Sequence, residues 1–295
     1  MPLYNPFKVT DEKPPRSQAL VFILIAAFLW STSGLFIKLL PYHPLVIGSL
    51  RASVMLVALL IYRRGHKVTW NRANVVVGIT MALTVIFFIT ANKLTTSANA
   101  IVLQYTAPIF TMMYSWIFFR LKARRRDVIA VVCTVIGMSL FFFDSLEPGN
   151  IIGNVLAILS GMCMAWQNIH FSNLEGSPYD GLIISQIFLV ASGIPFLFLA
   201  PPALTVQSVA IIVYMGIFQQ MISHIFFVVG MKSATPLDGA LLTTLEPLLN
   251  PVWVFVVLGE TPSLICLIGA AVVLVSISVW CIMNARIQTI SEQNN

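Results

Sequence analysis

Charged side chains are scarce in this 295-residue sequence, at 9% of residues against about 25% in a typical soluble protein. Hydrophobic residues make up 58%, and the mean hydropathy is +0.89. A water-soluble protein of this length needs charge on its exterior, so this composition excludes that class. The apolar runs are continuous and near the roughly 20 residues that a helix needs to cross a bilayer, which predicts a helical membrane protein and not a barrel.

Motifs for covalent chemistry and for nucleotide or metal binding are also missing. The sequence has no phosphate-binding loop, zinc-ligand spacing, catalytic triad or carboxylate pair. We therefore expect no enzyme activity, no catalytic residues, no cofactor and no metal site. We interpret the net charge of +6 as positive charge on the cytoplasmic side, with no affinity for nucleic acid. Four cysteines lie inside apolar runs and are interpreted as small core residues: Cys133, Cys163, Cys266 and Cys281.

Ten apolar stretches predict an all-α membrane protein with ten transmembrane helices, which we name spans 1 to 10. They cover residues 18–40, 44–62, 73–92, 97–119, 127–143, 151–172, 181–200, 208–230, 236–257 and 263–284. The connections are short, and tails at 1–17 and 285–295 flank the spans. Most of the 17 basic residues fall in the tails and in the loops after even-numbered spans. By the positive-inside rule, both tails are cytoplasmic.

The second half of the chain repeats the first after a shift of 139 residues. The shift aligns Lys93 with Lys232, Thr96 with Thr235 and Pro108 with Pro247. Five spans is an odd number, so the second copy has the opposite orientation in the membrane. We therefore predict two inverted five-helix repeats, residues 18–143 and 151–284. Inverted repeats are typical of secondary transporters, because two pseudo-symmetric halves can open a central site to either side.

Several short motifs indicate a known family. They are Leu29–Gly34 with Lys38, Arg51, Ala107-Pro108, Leu245-Glu246-Pro247, Leu258-Gly259-Glu260 and Gly269-Ala270. In these the chain resembles the drug/metabolite transporter superfamily, and within it the ten-helix EamA family, over nearly its whole length. The first repeat departs from the family pattern, with Arg120-Leu121 where Gly-Glu is frequent. The resemblance implies a central cavity lined by spans 1, 3, 4, 6, 8 and 9, and transport of amino acids, other small metabolites or drugs, usually outward.

Two ionisable residues lie near the middle of spans, where each needs a partner, a cavity or a function. Glu246 precedes Pro247 and Pro251 in span 9, which we expect to kink and expose backbone to a cavity. Glu246 is interpreted either as a carboxylate for a substrate amine or for proton coupling, or as a structural group. In the structural case it pairs with Arg51, or it is protonated and bonded to neighbouring backbone. Arg51 in span 2 is interpreted mainly as structural, with binding of a substrate carboxylate as the alternative.

Polar and aromatic side chains in other spans predict the wall of a substrate site. Gln220 and His224 share one helix face in span 8, and His224 is either a proton relay or a neutral hydrogen-bonding group. Trp30 and Trp166 hold related positions in the two repeats and are interpreted as paired aromatic walls of a cavity, with simple packing as the alternative. The predicted substrate-binding residues are Trp30, Ser33, Gln104, Tyr105, Trp166, His170, Gln220 and His224.

The leading functional hypothesis is a secondary transporter in the plasma (cell inner) membrane that exports small organic metabolites, such as amino acids or drugs, by alternating access. A facilitator or an uptake carrier of the same fold is the alternative. A channel and a membrane-embedded enzyme are different classes, and the scattered ionisable residues disfavour the enzyme. The expected partners are a small-molecule substrate and the lipid bilayer, with proton coupling through Glu246, in a monomer or a homodimer.

Overall fold

The chain folds into a bundle of helices. The computed structural model describes residues 4–7, 12–32, 36–37, 39–64, 66–146, 150–172, 178–258 and 263–293, and within these ranges it contains no β-strand. The all-helical prediction is therefore confirmed for the part of the chain that is described. Seven spans are single helices: Arg16–Ser31 (span 1), Pro44–Tyr62 (span 2), Arg72–Leu94 (span 3), Arg125–Phe141 (span 5), Ile151–Ser172 (span 6), Pro178–Leu199 (span 7) and Leu264–Gln293 (span 10).

Helices lie in all ten predicted stretches, although they differ in length. Among the described residues, seven stretches are long and apolar enough to cross a membrane: Pro44–Tyr62, Arg72–Leu94, Ala98–Phe119, Ile151–Ser172, Tyr179–Leu199, Val206–Met231 and Leu264–Asn284. Spans 1, 5 and 9 contain shorter helices of 16, 17 and 14 residues. The first helix of span 1 ends at Ser31, and residues 36 and 37, which follow residues outside the described part, are helical as well.

Spans 4 and 9 are each interrupted near the middle. Span 4 consists of the helices Ser97–Gln104 and Ala107–Phe119, and span 9 of Pro236–Leu242 and Leu245–Leu258. Proline explains both breaks, because its nitrogen carries no hydrogen and cannot bond the carbonyl four residues earlier. Pro108 and Pro247 each follow a break directly. The structure thus shows the expected distortion of span 9 and a matching break in span 4.

Span 8 is irregular in a different way. It begins as the α-helix Val206–Tyr214, continues as a wider π-helical stretch Met215–Ile222 and ends as the α-helix Ser223–Met231. The Ser223 hydroxyl donates to the carbonyl oxygen of Gln220 at 2.8 Å. π-Helical turns are rare and occur mostly at functional sites. This one contains Gln219 and Gln220, and Gln220 lies four residues before His224.

The helices pack in a regular scheme. Span 1 packs against the end of span 8 and against span 9, whereas span 6 packs against spans 3 and 4. Spans 2 and 7 form a further pair, as do spans 5 and 10. Close backbone approach at glycine supports this packing. A Cβ atom on Gly161 in span 6 would lie only 2.6 Å from the carbonyl oxygen of Gln104, at the break of span 4.

Contacts between side chains fix the directions of these spans. Arg16 pairs with Asp238 at the start of spans 1 and 9, and Ser31 contacts Trp253 further along both, so these spans are parallel. Span 4 runs parallel to span 6, because Thr95 bonds Asn154, while Tyr114 and Phe118 contact Trp166 further along both. The end of span 4 lies against the start of span 9. Spans 1 and 6 are therefore antiparallel.

One end of the bundle is rich in charge. Arg16 pairs with Asp238 at 2.8 Å, and Arg63 at the end of span 2 pairs with Asp180 at 3.4 Å. The loop 120–126 lies at the same end, close to Arg16. Its first residue, Arg120, has a positive φ of 54° and closes the span 4 helix, a position where glycine is usual because it has no Cβ. We refer to this end as the basic end.

Candidate functional site

The two interrupted spans meet at their breaks. Tyr105 ends the first half of span 4, and Glu246 lies in the first turn of the second half of span 9. The hydroxyl of Tyr105 donates a hydrogen bond of 2.9 Å to Oε2 of Glu246. Tyr105 is buried and Glu246 is partly exposed. Two sequence-predicted site residues are thus joined in the middle of the bundle, and we call this contact the central pair.

Arg51 approaches the central pair from span 2. It interacts electrostatically with both Glu246 and His224, but it lies beyond the 4 Å of a direct ion pair with Glu246. The carbonyl oxygen of Arg51 faces Gly216 in the π-helical stretch of span 8. The direct Arg51–Glu246 ion pair, one alternative from the sequence, is therefore not formed. A gap remains between a cation and an anion inside the bundle.

His224 and Trp30 form the aromatic wall next to this gap. Their ring centroids are 5.0 Å apart in an edge-to-face arrangement, and Phe227 lies 5.2 Å from Trp30 on the other side. Nδ1 of His224 is 2.7 Å from the carbonyl oxygen of Gln220, so Nδ1 carries the hydrogen. In neutral His224 the other ring nitrogen, Nε2, is then a hydrogen-bond acceptor. Gln220 itself donates from Nε2 to Gln219 at 2.9 Å.

Four of these side chains keep some accessible surface although they lie inside the helix bundle. Trp30, Arg51, His224 and Glu246 are each partly exposed. Their contacts are with residues of spans 1, 4 and 8, so the accessible surface faces the interior of the bundle. Ionisable side chains at such positions commonly line substrate or ion pathways.

Gln104 connects helices to one another, whereas its neighbour Tyr105 contacts Glu246. It is buried, and its Nε2 donates to Oγ of Ser160 at 2.7 Å. Ser160 in turn donates to the carbonyl oxygen of Thr84 at 2.7 Å, and Gln167 donates to Oγ1 of Thr84 at 2.6 Å. This network links spans 3, 4 and 6. It holds the break of span 4 in position and so places Tyr105.

Trp166 and His170 lie apart from Trp30. Trp166 packs edge-to-face against Tyr114 and Phe118 in the second half of span 4. Because spans 1 and 6 are antiparallel, Trp166 lies on the basic-end side of the central pair and Trp30 lies on the other side. The two tryptophans are therefore not opposite walls at one level. Nε1 of Trp166 and Nε2 of His170 are buried without a hydrogen-bond partner among the described residues.

Ser33, the remaining predicted residue, lies outside the described residues, as do Gly34 and Lys38. Its neighbour Ser31 is described, and its Oγ accepts a hydrogen bond of 2.8 Å from Nε1 of Trp253. The sequence pattern did not indicate Phe227, which packs against Trp30, or Trp253, which contacts Phe28 and Ser31 of span 1. Both lie in apolar runs, and nothing in those runs distinguishes them from residues that face lipid.

Within the described part of the chain, no group of three or more His, Cys, Asp or Glu residues is arranged to hold a metal ion. The site is instead one carboxylate, one guanidinium, one imidazole and aromatic faces around two helix breaks. Interrupted membrane helices that meet at ionisable groups are the architecture of a membrane transporter.

Comparison with known proteins identifies the family. The EamA-like transporter family matches residues 17–143 and again residues 151–281. The chain belongs to this family, which lies in the drug/metabolite transporter superfamily. It is a multi-pass membrane transporter, and its family points away from an enzyme.

Relatives cover most of the chain at low identity. An uncharacterised transporter of Archaeoglobus fulgidus is 23% identical over 280 residues, covering 88% of this chain and 96% of the relative. The uncharacterised transporter YwfM of Bacillus subtilis is 25% identical over 272 residues, covering 88% and 92%. A protein of known crystal structure has the same fold, with a TM-score of 0.80, 19% identity and coverage of 92% of this chain and 99% of the other.

Proposed function

We propose that the protein is a secondary transporter that exports amino acids or related small metabolites across the plasma membrane by alternating access. The observation that carries this proposal is the contact between Tyr105 and Glu246 at the two helix breaks. Secondary transporters bind substrates where interrupted helices meet, because backbone groups freed by the breaks need polar partners. A carboxylate at this place suits a protonated amine, since opposite charges attract strongly where the dielectric constant is low.

The internal symmetry of the chain supports alternating access. The breaks of spans 4 and 9 are related by the same 139-residue shift that aligns Pro108 with Pro247. Span 1 packs against spans 8 and 9 as span 6 packs against spans 3 and 4. Spans 1 and 6 are antiparallel, as an inverted second repeat requires. These features support two inverted five-helix repeats, residues 18–143 and 151–284, and thus ten membrane crossings.

Individual residues then have distinct roles. Glu246 binds the substrate amine, and Arg51 attracts a substrate carboxylate. Trp30 packs against an apolar part of the substrate, or against a cationic part, which the face of its ring attracts. Tyr105 orients Glu246 through its hydrogen bond. Nε2 of His224, for which the described residues show no hydrogen-bond partner, accepts a hydrogen bond from substrate or water, or takes up a proton.

A second contact region lies on the route from the central pair to the basic end. Trp166 and His170 each bury a ring nitrogen that has no partner among the described residues. Unpaired polar atoms in an apolar interior are costly unless a ligand or water satisfies them. We assign to these two residues a transient contact with substrate as it enters from the basic end.

The basic end is proposed to be cytoplasmic, with both tails on that side. Single cysteines at positions 124 and 150, in an otherwise cysteine-free protein, test this with a membrane-impermeant thiol reagent. Both Arg124 and Asn150 are exposed. We expect labelling at 150 in intact cells and at 124 only after permeabilisation. The reverse pattern would invert the proposed topology and the direction of transport with it.

Proton coupling through Glu246 gives the sharpest test of mechanism. A proton and a cationic substrate both neutralise this carboxylate, so the two compete for one site. Glu246→Gln keeps the shape of the side chain and fixes it as neutral. We expect this variant to lose accumulation driven by an imposed pH gradient, while exchange across the membrane without a gradient continues. The assay is flux of a radiolabelled amino-acid mixture in proteoliposomes.

Asp144→Asn is the matched control, since it removes one carboxylate that lies in an exposed loop and contacts Ser263. We expect wild-type flux from it. Normal gradient-driven accumulation by Glu246→Gln would exclude a proton role and leave Glu246 structural. A wild-type protein that ignores the gradient would be a facilitator or exchanger. Flux that does not saturate, with measurable single-channel current, would contradict a transporter mechanism altogether.

A further inference from the structure

A cavity of about 430 Å³ lies at the basic end, away from the central pair. It is bounded by the loop between spans 4 and 5, the first turn of span 9 and the later part of span 10. Four basic residues line it: Arg16, Lys122, Arg124 and Arg126. Its volume falls in the range of small-molecule sites, about 300–1,000 Å³, and exceeds what one inorganic ion needs.

The acidic groups at this cavity are already engaged. Oδ1 of Asp127 accepts a hydrogen bond of 2.9 Å from Nε1 of Trp280, and Oδ2 accepts one of 2.9 Å from the backbone of Arg124. Asp238, behind Arg16, accepts from that guanidinium at 2.8–2.9 Å and from Thr235 at 2.7 Å. Arg16 and Asp238 therefore neutralise each other. Both oxygens of Asp127 already accept hydrogen bonds, and its bond to Trp280 helps to position span 10.

Positive charge exceeds negative charge among the described residues that line this cavity, where Asp127 is the one carboxylate and its ion pair with Arg126 is long. Arg126 is the most informative, because its side chain is only 13% exposed and its Nε is buried without a hydrogen-bond partner. The nearest acidic oxygen, on Asp127, is 3.9 Å away, which is too long for a hydrogen bond. The side chains of Lys122 and Arg124 are exposed beside it. The cavity therefore offers donors and charge for an anion.

The rim of the cavity continues into an apolar surface that the protein leaves exposed. Leu121, within the basic loop, is 58% exposed, and Trp116 one turn earlier is 59% exposed. The neighbouring side chains at the end of span 4 are equally apolar and exposed, so acyl chains can lie along this surface up to the cavity. Basic pockets between membrane helices on the cytoplasmic side are suited to anionic headgroups.

We propose that this cavity is a phosphate-binding site that takes the headgroup of an acidic phospholipid from the adjacent leaflet. Guanidinium groups bind phosphate oxygens with paired, charge-assisted hydrogen bonds, and Arg126 supplies the buried one. The bound phosphate joins the loop of residues 120–126 to the start of span 9, so it stabilises the arrangement of spans 4 and 9 described above. A soluble phosphate ester has the same chemistry and is separated from the lipid by the experiment.

The test uses the purified full-length protein in phosphatidylcholine nanodiscs, with and without phosphatidylglycerol, and follows the midpoint of thermal unfolding. A ligand that binds only the folded state raises this midpoint. We expect the midpoint to rise with phosphatidylglycerol content, steeply at first and then more slowly, because stabilisation depends on the logarithm of ligand concentration. The double variant Lys122→Gln/Arg126→Gln should need about tenfold more phosphatidylglycerol for the same rise, as expected for loss of charge-assisted bonds.

Two further variants separate the cavity from general electrostatic attraction. Arg64→Gln/Arg125→Gln removes the same charge from exposed residues that do not line the cavity, and should respond like the wild type. Lys122→Gln/Arg124→Gln changes only exposed side chains, so it folds even if loss of Arg126 impairs folding, and it too should weaken the response.

Glycerol phosphate added to phosphatidylcholine discs distinguishes the source of the phosphate. Stabilisation by phosphatidylglycerol alone identifies the lipid. Equal stabilisation by glycerol phosphate, lost in the cavity variants, keeps the phosphate site and assigns it to a soluble ester. The proposal is overturned if the control variant loses as much of the phosphatidylglycerol-induced rise in unfolding midpoint as the cavity variants do. It is also overturned if neither ligand raises the midpoint of the wild type. None of these readouts depends on the transported substrate.

Discussion

Gly161 is a position where a single added carbon would disturb the break of span 4. It lies in span 6 against the break of span 4, and a Cβ atom there would lie 2.6 Å from the carbonyl oxygen of Gln104 and 3.3 Å from its carbonyl carbon. These are backbone atoms, so no side chain can rotate away to make room. The substitution Gly161→Ala therefore forces spans 4 and 6 apart by most of an ångström.

The magnitude follows from the contacts that this displacement disturbs. Overpacking a tight helix contact costs about 1–3 kcal/mol. The 2.7 Å bond from Gln104 to Ser160 lies at the same level, and weakening it adds up to about 1 kcal/mol. Alanine recovers up to about 1 kcal/mol through its higher helix propensity. We expect the free energy of unfolding to fall by about 1–3 kcal/mol, with a lowered rate of transport because Tyr105 moves with the break.

Gly48→Ala is the matched control. A Cβ atom on Gly48, also buried in a span, would meet only the end of the Ile89 side chain at 3.8 Å, an ordinary contact. It should leave stability unchanged or raise it by about 0.5–1 kcal/mol. Thermal unfolding of both variants in the same detergent measures the difference, at about 2–4 °C for each kcal/mol. If Gly161→Ala unfolds at or above the wild-type temperature, or if Gly48→Ala falls equally, the close-contact argument is refuted.

Two further predictions concern the ends of the bundle. Trp280→Phe removes the indole donor to Asp127 and should lower the free energy of unfolding by about 1.5–3 kcal/mol in thermal melts, whereas the exposed Trp70→Phe should change nothing. Burial and the neighbouring Lys93 lower the pKa of His43, so the unfolded chain binds more protons as pH falls through about 6.5, and stability should fall with it. Melts between pH 7.5 and 5.5 should show this loss in the wild type, and a variant His43→Asn with the same loss would contradict it.

The sequence predicted the helical class, and it singled out Tyr105 and Glu246, which the structure brings into contact, because the relevant signals are local. Pro108 and Pro247 cannot donate a backbone hydrogen bond to the carbonyl four residues earlier, and Glu246 is conspicuous as a carboxylate inside a span. The partner of Glu246 was not predictable, because helix rotation and depth depend on packing between spans. For the same reason Trp30 and Trp166, which related positions suggested as facing walls, lie on opposite sides of the central pair. Hydropathy shows that a residue is in the membrane, but it does not show which neighbour it meets.

The packing of spans 1 and 6 has a consequence for how the chain must be made. Span 1 finds its main contacts in spans 8 and 9, and span 6 finds its contacts in spans 3 and 4. The first helix of each half therefore packs mainly against helices of the other half. Without the other half, span 1 or span 6 would lack most of these contacts. A chain severed between residues 146 and 150 would yield two fragments that each lack a packing partner. The fragments would have to be inserted in the same membrane and assemble there, much as two subunits of an intertwined dimer do.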